Sequence, residues 1–308
     1  MSTPGVDAAW DAYWAADRSA SCGAALGYPE PLLAHWRGWF LALAPGAAVL
    51  DVCAGNGAIA ACAAAVSRDL RLGFVVHAAD RARIDPARWL APRPELAAIR
   101  FHPGADAEAL PFKDASFDAV VSQYGIEYTG LERTLAELAR VARPGARAAF
   151  LVHAADGRVV GNARLQLGEV GRLLDAGLLQ SAQRLLDDPS AAVRARHAAA
   201  RAALESQATL ALDRAMFSNV LGVVTDALEC RDRVGPDAVR AKLDEVGFQL
   251  EAHRARLAAM CQAAHDAAGI AALGAALAVV GFDAVTHQAL RIEAGDESWG
   301  WWLEARRA

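Results

Sequence analysis

Val49-Leu-Asp-Val-Cys-Ala-Gly-Asn-Gly57 reads as an apolar strand that carries one acid, Asp51, and runs into a turn with two glycines. The Ala-rich stretch Ala58 to Ser67 follows at once and predicts a helix, so the local plan is strand, glycine turn, helix. Gly55 and Gly57 let the backbone approach a ligand closely, and the first turn of the helix offers unpaired N–H groups. A tight strand-to-helix connection without a ligand uses the same residues. Gly55-Asn-Gly-Ala-Ile-Ala60 also fits G-x-G-x-x-A, the pattern of a dinucleotide site. Asp51 argues against that reading, since it would repel a pyrophosphate and attract a cation. Cys53-Ala54 before Gly55 also spaces the turn differently from a dinucleotide loop.

Working outward, short apolar runs alternate with helical stretches. Ala47 to Val52, Phe74 to Ala78, Ile99 to Phe101, Phe117 to Ser122 and Ala148 to Val152 are the expected strands. Ala58 to Ser67, part of Asp85 to Ala98, and Leu131 to Ala142 are the expected helices between them. Such alternation predicts a parallel sheet covered on both faces. Near the end, Ala284 to Ile292 and Trp299 to Ala305 form two more expected strands, joined by the short, turn-rich Glu293-Ala-Gly-Asp-Glu-Ser298 as an antiparallel hairpin.

Asp80 ends the second strand, a little over twenty residues beyond the glycine turn, where a carboxylate can accept hydrogen bonds from ribose hydroxyls. It could equally cap the next helix or pair with Arg81 or Arg83. The block Asp106-Ala-Glu-Ala-Leu-Pro-Phe-Lys-Asp-Ala-Ser-Phe-Asp-Ala-Val-Val-Ser122 follows, and then Arg140-Val-Ala-Arg-Pro-Gly-Ala146. In order and spacing, these motifs resemble the class I S-adenosylmethionine-dependent methyltransferases, particularly the small-molecule branch. The resemblance covers about Ala47 to Val152 and resumes at Gly281-Phe-Asp-Ala-Val285. Cys53-Ala54 replaces the family's smaller pair before the second glycine, and Arg-Pro-Gly-Ala lacks a frequent second glycine; neither change removes a functional side chain.

The fold so implied is α/β, a Rossmann-like seven-stranded sheet, parallel with a C-terminal antiparallel hairpin, plus a helical insertion. The cofactor implied is S-adenosyl-L-methionine, leaving as S-adenosyl-L-homocysteine, with no metal. By position, the resemblance sets Gly55 and Gly57 along the methionine part, Asp51 near its ammonium, and Asp80 on both ribose hydroxyls with Arg81 beside it in the same loop. Asp106 would accept from the adenine amino group while the Ala107 N–H meets the ring, and Ser122 and Gln123 would face the methionine moiety and sulfonium. A turn cap is the plainer use of Asp106.

Gln123-Tyr-Gly-Ile-Glu-Tyr128 opens onto the reacting end of that cofactor, which makes Tyr124, Glu127 and Tyr128 substrate-side candidates; aromatic faces there could stabilise a cation. Packing of Tyr128 under the fold and capping of the Leu131 helix by Glu127 are the competing uses. His153 after the fifth strand is a candidate base, with Asp156 as a group to orient it, or else a satisfied structural histidine. Trp10, Tyr13 and Trp14 share one helical face, which serves either the core or a lid that brings Tyr13 or Trp14 to the substrate.

Composition sets the limits. Hydrophobic residues at 55%, charged residues at 22% and a net charge of -5 support a buried core and disfavour a polyanion binder. Met1 to Trp10 lacks the basic and apolar regions of a secretory signal, so a cytoplasmic protein is expected. The uncharged run Ala267 to Phe282 is too short to span a bilayer and reads as a buried helix, so no membrane partner is expected. Five cysteines without a CxxC pair suit reduced thiols. From Asp156 to Ile270 the chain is rich in Ala, Leu and Arg and nearly free of aromatics, which predicts helices; Leu167, Val170, Leu174 and Leu178 form one stripe, and Ala191 to Leu212 a further helical stretch.

The expected organisation is an N-terminal helical lid segment (1–46), a cofactor-binding core (47–155), a helical insertion serving as lid, substrate domain or dimer interface (156–270), and a return to the core (271–308). The expected activity is methyl transfer to O, N or S of a small molecule, with no nucleic-acid partner. A protein or tRNA acceptor and a non-catalytic partner-binding module are the alternatives.

Overall fold

The computed structural model describes residues 5–16, 18–21, 27–291 and 298–308. Helices α1 (Val6–Trp14) and α2 (Glu30–Phe40) precede β1 (Ala48–Val52), α3 (Ala58–Leu70), β2 (Val75–Asp80), α4 (Pro86–Trp89), α5 (Pro94–Ala97), β3 (Ile99–Pro103) and β4 (Phe117–Gln123). There follow α6 (Leu131–Val141), β5 (Ala142–Val152), α7 (Arg158–Asp175), α8 (Leu178–Asp187), α9 (Ala191–Ala208), α10 (Arg214–Glu229), α11 (Arg231–Val234), α12 (Pro236–Ala263), α13 (Ala267–Val279), β6 (Phe282–Leu290) and β7 (Gly300–Arg307). The strands form one sheet in the order β3-β2-β1-β4-β5-β7-β6. Only β7 runs against the rest, pairing antiparallel with both β5 and β6.

The sheet is buried on both faces because its central strands are apolar at successive positions. Val49 and Val121 face α2 and α3, where Leu32, Trp36, Phe40 and Ile59 complete one core. Leu50, Val120 and Phe150 face the other way and meet Leu135 and Leu138 of α6 and Ile270, Leu273 and Leu277 of α13. This is the both-faces covering that parallel βαβ connections require.

The chain separates into two compact units. One holds the sheet, with residues 10–161 and 259–308; the other consists of residues 162–258 together with the chain up to Ala9. The helical unit has its own core, in which Leu173, Leu179, Phe217, Val224, Val239 and Leu243 are buried. Its Glu169 is buried and accepts the backbone N–H groups of Leu212 and Asp213, supplying hydrogen bonds that the chain entering α10 would otherwise lack.

The differences from expectation have local causes. The stripe Leu167 to Leu178 does not lie on one helix, because the chain breaks at Gly177 (φ 72°) and restarts as α8. Part of Asp85 to Ala98 is helical only as the single turns α4 and α5, each started by a proline that cannot continue a preceding helix. The fifth strand begins at Ala142 and not Ala148, so Arg143-Pro-Gly-Ala146 lies within it, with a register shift against Phe117–Ala119. The hairpin strands are present as β6 and β7, while Ile292 and most of their join, 293–297, fall outside the described residues, as does Cys22. No described helix is long and apolar enough to cross a membrane.

Candidate active site

The C-terminal ends of β1, β2, β4 and β5 open at one edge of the sheet, the edge where ligands of open α/β sheets bind. At the end of β1 the backbone turns sharply, with Cys53 at φ 55°, Gly55 at φ 53° and Gly57 at φ 82°. Glycine is required at the last two, since a Cβ on Gly55 would run into the Trp14 indole and one on Gly57 would sit 2.7 Å from Phe101 Cε1. Asp51 lies beneath this turn, 1% exposed, and its Oδ2 accepts the Ala60 N–H at 2.9 Å in the first turn of α3. Burial pushes its carboxyl up to about 8, partly opposed by the Ala60 bond and reinforced by Asp80.

Asp80 joins two loops. Its Oδ2 accepts the Gly55 N–H at 2.7 Å and its Oδ1 the Ala82 N–H at 2.8 Å. Burial raises it to about 6, against the pull of those two bonds. Arg83, one of the two pairing partners open to Asp80 in the sequence, instead gives its N–H and Nε to Asp11, both at 2.8 Å; Arg81 is exposed. Asp106 closes the turn after β3 by accepting the Glu108 N–H at 2.9 Å, and Ala107 is buried beside it. That turn is held from behind. Glu108 takes the Gly130 N–H, Glu137 takes the Leu110 N–H, and Arg140 donates to the carbonyls of Leu110 and Phe112. Ser122 and Gln123 are buried at the end of β4. Gln123 Oε1 accepts the Trp36 indole N–H, while Gln123 Nε2 and Ser122 Oγ meet no hydrogen-bond partner among the described residues. Burial, and then the neighbouring acids Asp80, Glu127, Asp51 and Asp106, drive the Cys53 thiol far up, so it stays protonated.

Four of the five candidate acceptor-side residues come together. Glu127 Oε1 accepts from His153 Nδ1 at 2.7 Å and from the His153 backbone N–H at 3.0 Å, with both side chains fully buried. Tyr124 stacks on the His153 ring at 4.3 Å, and Tyr128 meets it edge-on at 5.8 Å. Tyr124 sits at φ 53°, and its hydroxyl donates to Trp299 O at 2.8 Å. Glu127 therefore does not cap α6, whose N-cap is Gly130, and it takes the orienting place expected of Asp156. The fifth candidate, Tyr13, lies on α1 against Trp10 and Trp14, with the Arg18 guanidinium over its ring. Trp10 in turn meets Tyr128 at 5.5 Å.

Sequence reasoning passed over Asn56 and Asp11. Asn56 is fully buried between the two glycines and donates to Trp14 O and Arg18 O. An amide between two turn glycines is the one signal that could have flagged it.

These groups suit an adenosyl sulfonium. Each Asp80 oxygen keeps a lone pair for a hydroxyl, and the carboxyl groups of Asp80, Glu127 and Asp106 lie around the turn, where negative charge favours a cation. No group of three or more His, Cys, Asp or Glu able to hold a metal ion occurs among the described residues.

Comparison with known proteins agrees. Residues 50–150 match the model of a methyltransferase domain. The chain is 37% identical over 109 residues to a demethylmenaquinone methyltransferase of Beutenbergia cavernae, covering 33% of this chain and 39% of that protein. It is 39% identical over 116 residues to a 2-phytyl-1,4-naphtoquinone methyltransferase of Synechococcus elongatus, covering 35% and 46%. The chain thus spans less than half the length of these curated relatives. Among solved structures, a TehB-like SAM-dependent methyltransferase of Corynebacterium glutamicum is 25% identical, with a TM-score of 0.33 over 42% of this chain and 67% of that one. Residues 50–150, which run from β1 into β5, thus carry a methyltransferase domain on a sheet of this strand order.

Proposed function

We propose that the chain transfers a methyl group from S-adenosyl-L-methionine to an O, N or S atom of a small-molecule acceptor. The observation that carries the proposal is the Asp80 carboxylate, which bridges the glycine turn and the loop after β2 at the sheet edge. When bound, the cofactor supplies a methyl carbon made electrophilic by the sulfonium. Asp80, with Arg81 beside it, holds the ribose, and Asp106 and the Ala107 N–H hold the adenine. Gly55 and Gly57 line the methionine part. Asp51 lies beneath the turn, near the ammonium, and Ser122 and Gln123 face the sulfonium end.

Displacement at a methyl carbon is in-line, so the protein's main task is alignment, worth roughly 7–11 kcal/mol of barrier. Tyr124, Tyr128 and Tyr13 supply aromatic surface to position the acceptor. Where the acceptor is a hydroxyl, the His153 imidazole, its Nδ1–H held by Glu127, is the candidate base. The new bond forms from acceptor oxygen to methyl carbon as the sulfur–carbon bond breaks, and its electron pair leaves with the thioether product.

The names of the relatives favour a flat, oxygenated ring as acceptor, a shape that suits aromatic walls. The helical stretch 156–270 confers acceptor selectivity or forms a homodimer interface, and the enzyme works in the cytoplasm. Incubation with methyl-labelled cofactor and a panel of reduced naphthoquinones, phenols, amines and thiols tests the proposal. Label in an organic-extractable product is expected, and label in none of the panel, with tight cofactor binding retained, would refute a small-molecule acceptor.

A further inference from the structure

Asn56 spends its side chain on a segment more than thirty residues away in sequence and not on its own turn. Its Nδ2 donates to Trp14 O at 3.0 Å and to Arg18 O at 2.9 Å, and its Oδ1 accepts nothing among the described residues. The Trp14 indole rests on Gly55, so close that no side chain fits between them. Asp11, one turn before Trp14, receives both Arg83 donors from the loop after Asp80. Trp10, on the same helix, meets Tyr128 on the acceptor side. The stretch Trp10–Trp14 therefore touches the glycine turn, the ribose loop and the acceptor wall at once.

We propose that Asn56 is a positioning residue that couples these three places, so that occupancy of the glycine turn sets the Trp10–Tyr128 wall and cofactor binding precedes acceptor binding. The proposal rests on the reading of this edge as an S-adenosylmethionine site. Two physical points support it. A buried amide facing two carbonyls accepts no simple substitute: alanine donates nothing, and aspartate would set a carboxylate against both carbonyls. A ligand entering above Gly55 must also contact Trp14 or displace it, so its binding free energy depends on where this stretch sits, which is the condition for coupling.

Hydrogen exchange of the full chain with and without S-adenosylhomocysteine tests the coupling. In the wild type, saturating ligand should slow exchange of the Trp10–Trp14 amides about tenfold. In Asn56→Ala the ligand should still bind through Asp80 and Asp106, but the slowing at Trp10–Trp14 should vanish. A merely structural asparagine would shift the unliganded rates and leave the ligand-induced difference intact, and that result overturns the proposal. Should Asn56→Ala fail to fold, Asp11→Ala removes the Arg83 attachment alone and should reduce the same slowing; unchanged slowing there overturns the coupling. Absence of binding to the wild type by calorimetry would instead overturn the reading of the site, and the coupling with it.

Discussion

Replacing Asp51 by asparagine should stabilise the free protein at alkaline pH while weakening its hold on the cofactor. The Asp51 carboxyl is held at about 8 where 3.8 is ordinary, chiefly by burial. Below pH 4 it is protonated whether the chain is folded or not, and it contributes no pH dependence. Between pH 4 and 8 the unfolded chain ionises while the folded one keeps its proton, so stability falls as pH rises, and the full penalty is present above 8. About four pH units at about 1.4 kcal/mol each sets an upper bound near 6 kcal/mol. The buried site relaxes around an ionised carboxylate, so the penalty realised is a few kcal/mol. The asparagine Oδ1 can still accept the Ala60 N–H, but its own N–H groups go unmatched at a cost of about 1 kcal/mol. The net gain is then on the order of 2 kcal/mol at pH 9 and close to zero or slightly negative at pH 4. Urea unfolding of both proteins across this range measures it. A variant no more stable than the wild type at pH 9, with an unchanged pH slope, would refute the reasoning.

Other perturbations have equally defined outcomes. Gly55→Ala forces a Cβ into the Trp14 ring at a left-handed φ and should weaken S-adenosylhomocysteine binding at least about tenfold by calorimetry, since overpacking of this kind costs typically 1–3 kcal/mol; wild-type affinity would contradict it. Glu127→Ala strands the His153 N–H and Nδ1–H in a dry interior and should cost about 2–5 kcal/mol of unfolding free energy, and a loss below about 1 kcal/mol would show that the pair is solvated. Arg140→Ala releases the Leu110 and Phe112 carbonyls at a partly exposed site, so stability should fall by only about 1 kcal/mol, while hydrogen exchange across Asp106–Asp114 should quicken and cofactor affinity drop. Unchanged exchange there would remove Arg140 from the support of the adenine loop.

What the sequence made legible was whatever is local. Val49 to Gly57 announced a strand, a turn and a helix because apolar run, glycine pair and alanine run are adjacent in the chain, and β1 and α3 stand there. Asp80 was flagged by its distance along the chain from that turn, and Asp106 by the family resemblance of the block it begins. What was not legible depends on partners remote in sequence. Nothing near Asn56 points to Trp14 or Arg18, and nothing near Glu127 points to His153, 26 positions on. Glu127 resembled a helix cap because it precedes Leu131, but the parallel pairing of β4 with β5 brings it to His153 instead. The stripe through Leu178 failed for a related reason, since periodicity continues through a glycine whose backbone does not. Asp51 shows that position and contact differ: it occupies the expected place at the end of β1, yet its carboxylate is turned into α3.

The most direct measurement of the central claim is titration calorimetry of the full chain with S-adenosylmethionine, with Asp80→Ala beside the wild type and NADH as the competing ligand. The account predicts one site per chain for S-adenosylmethionine, lost in Asp80→Ala, and no heat from NADH. Binding of NADH without binding of S-adenosylmethionine would contradict it.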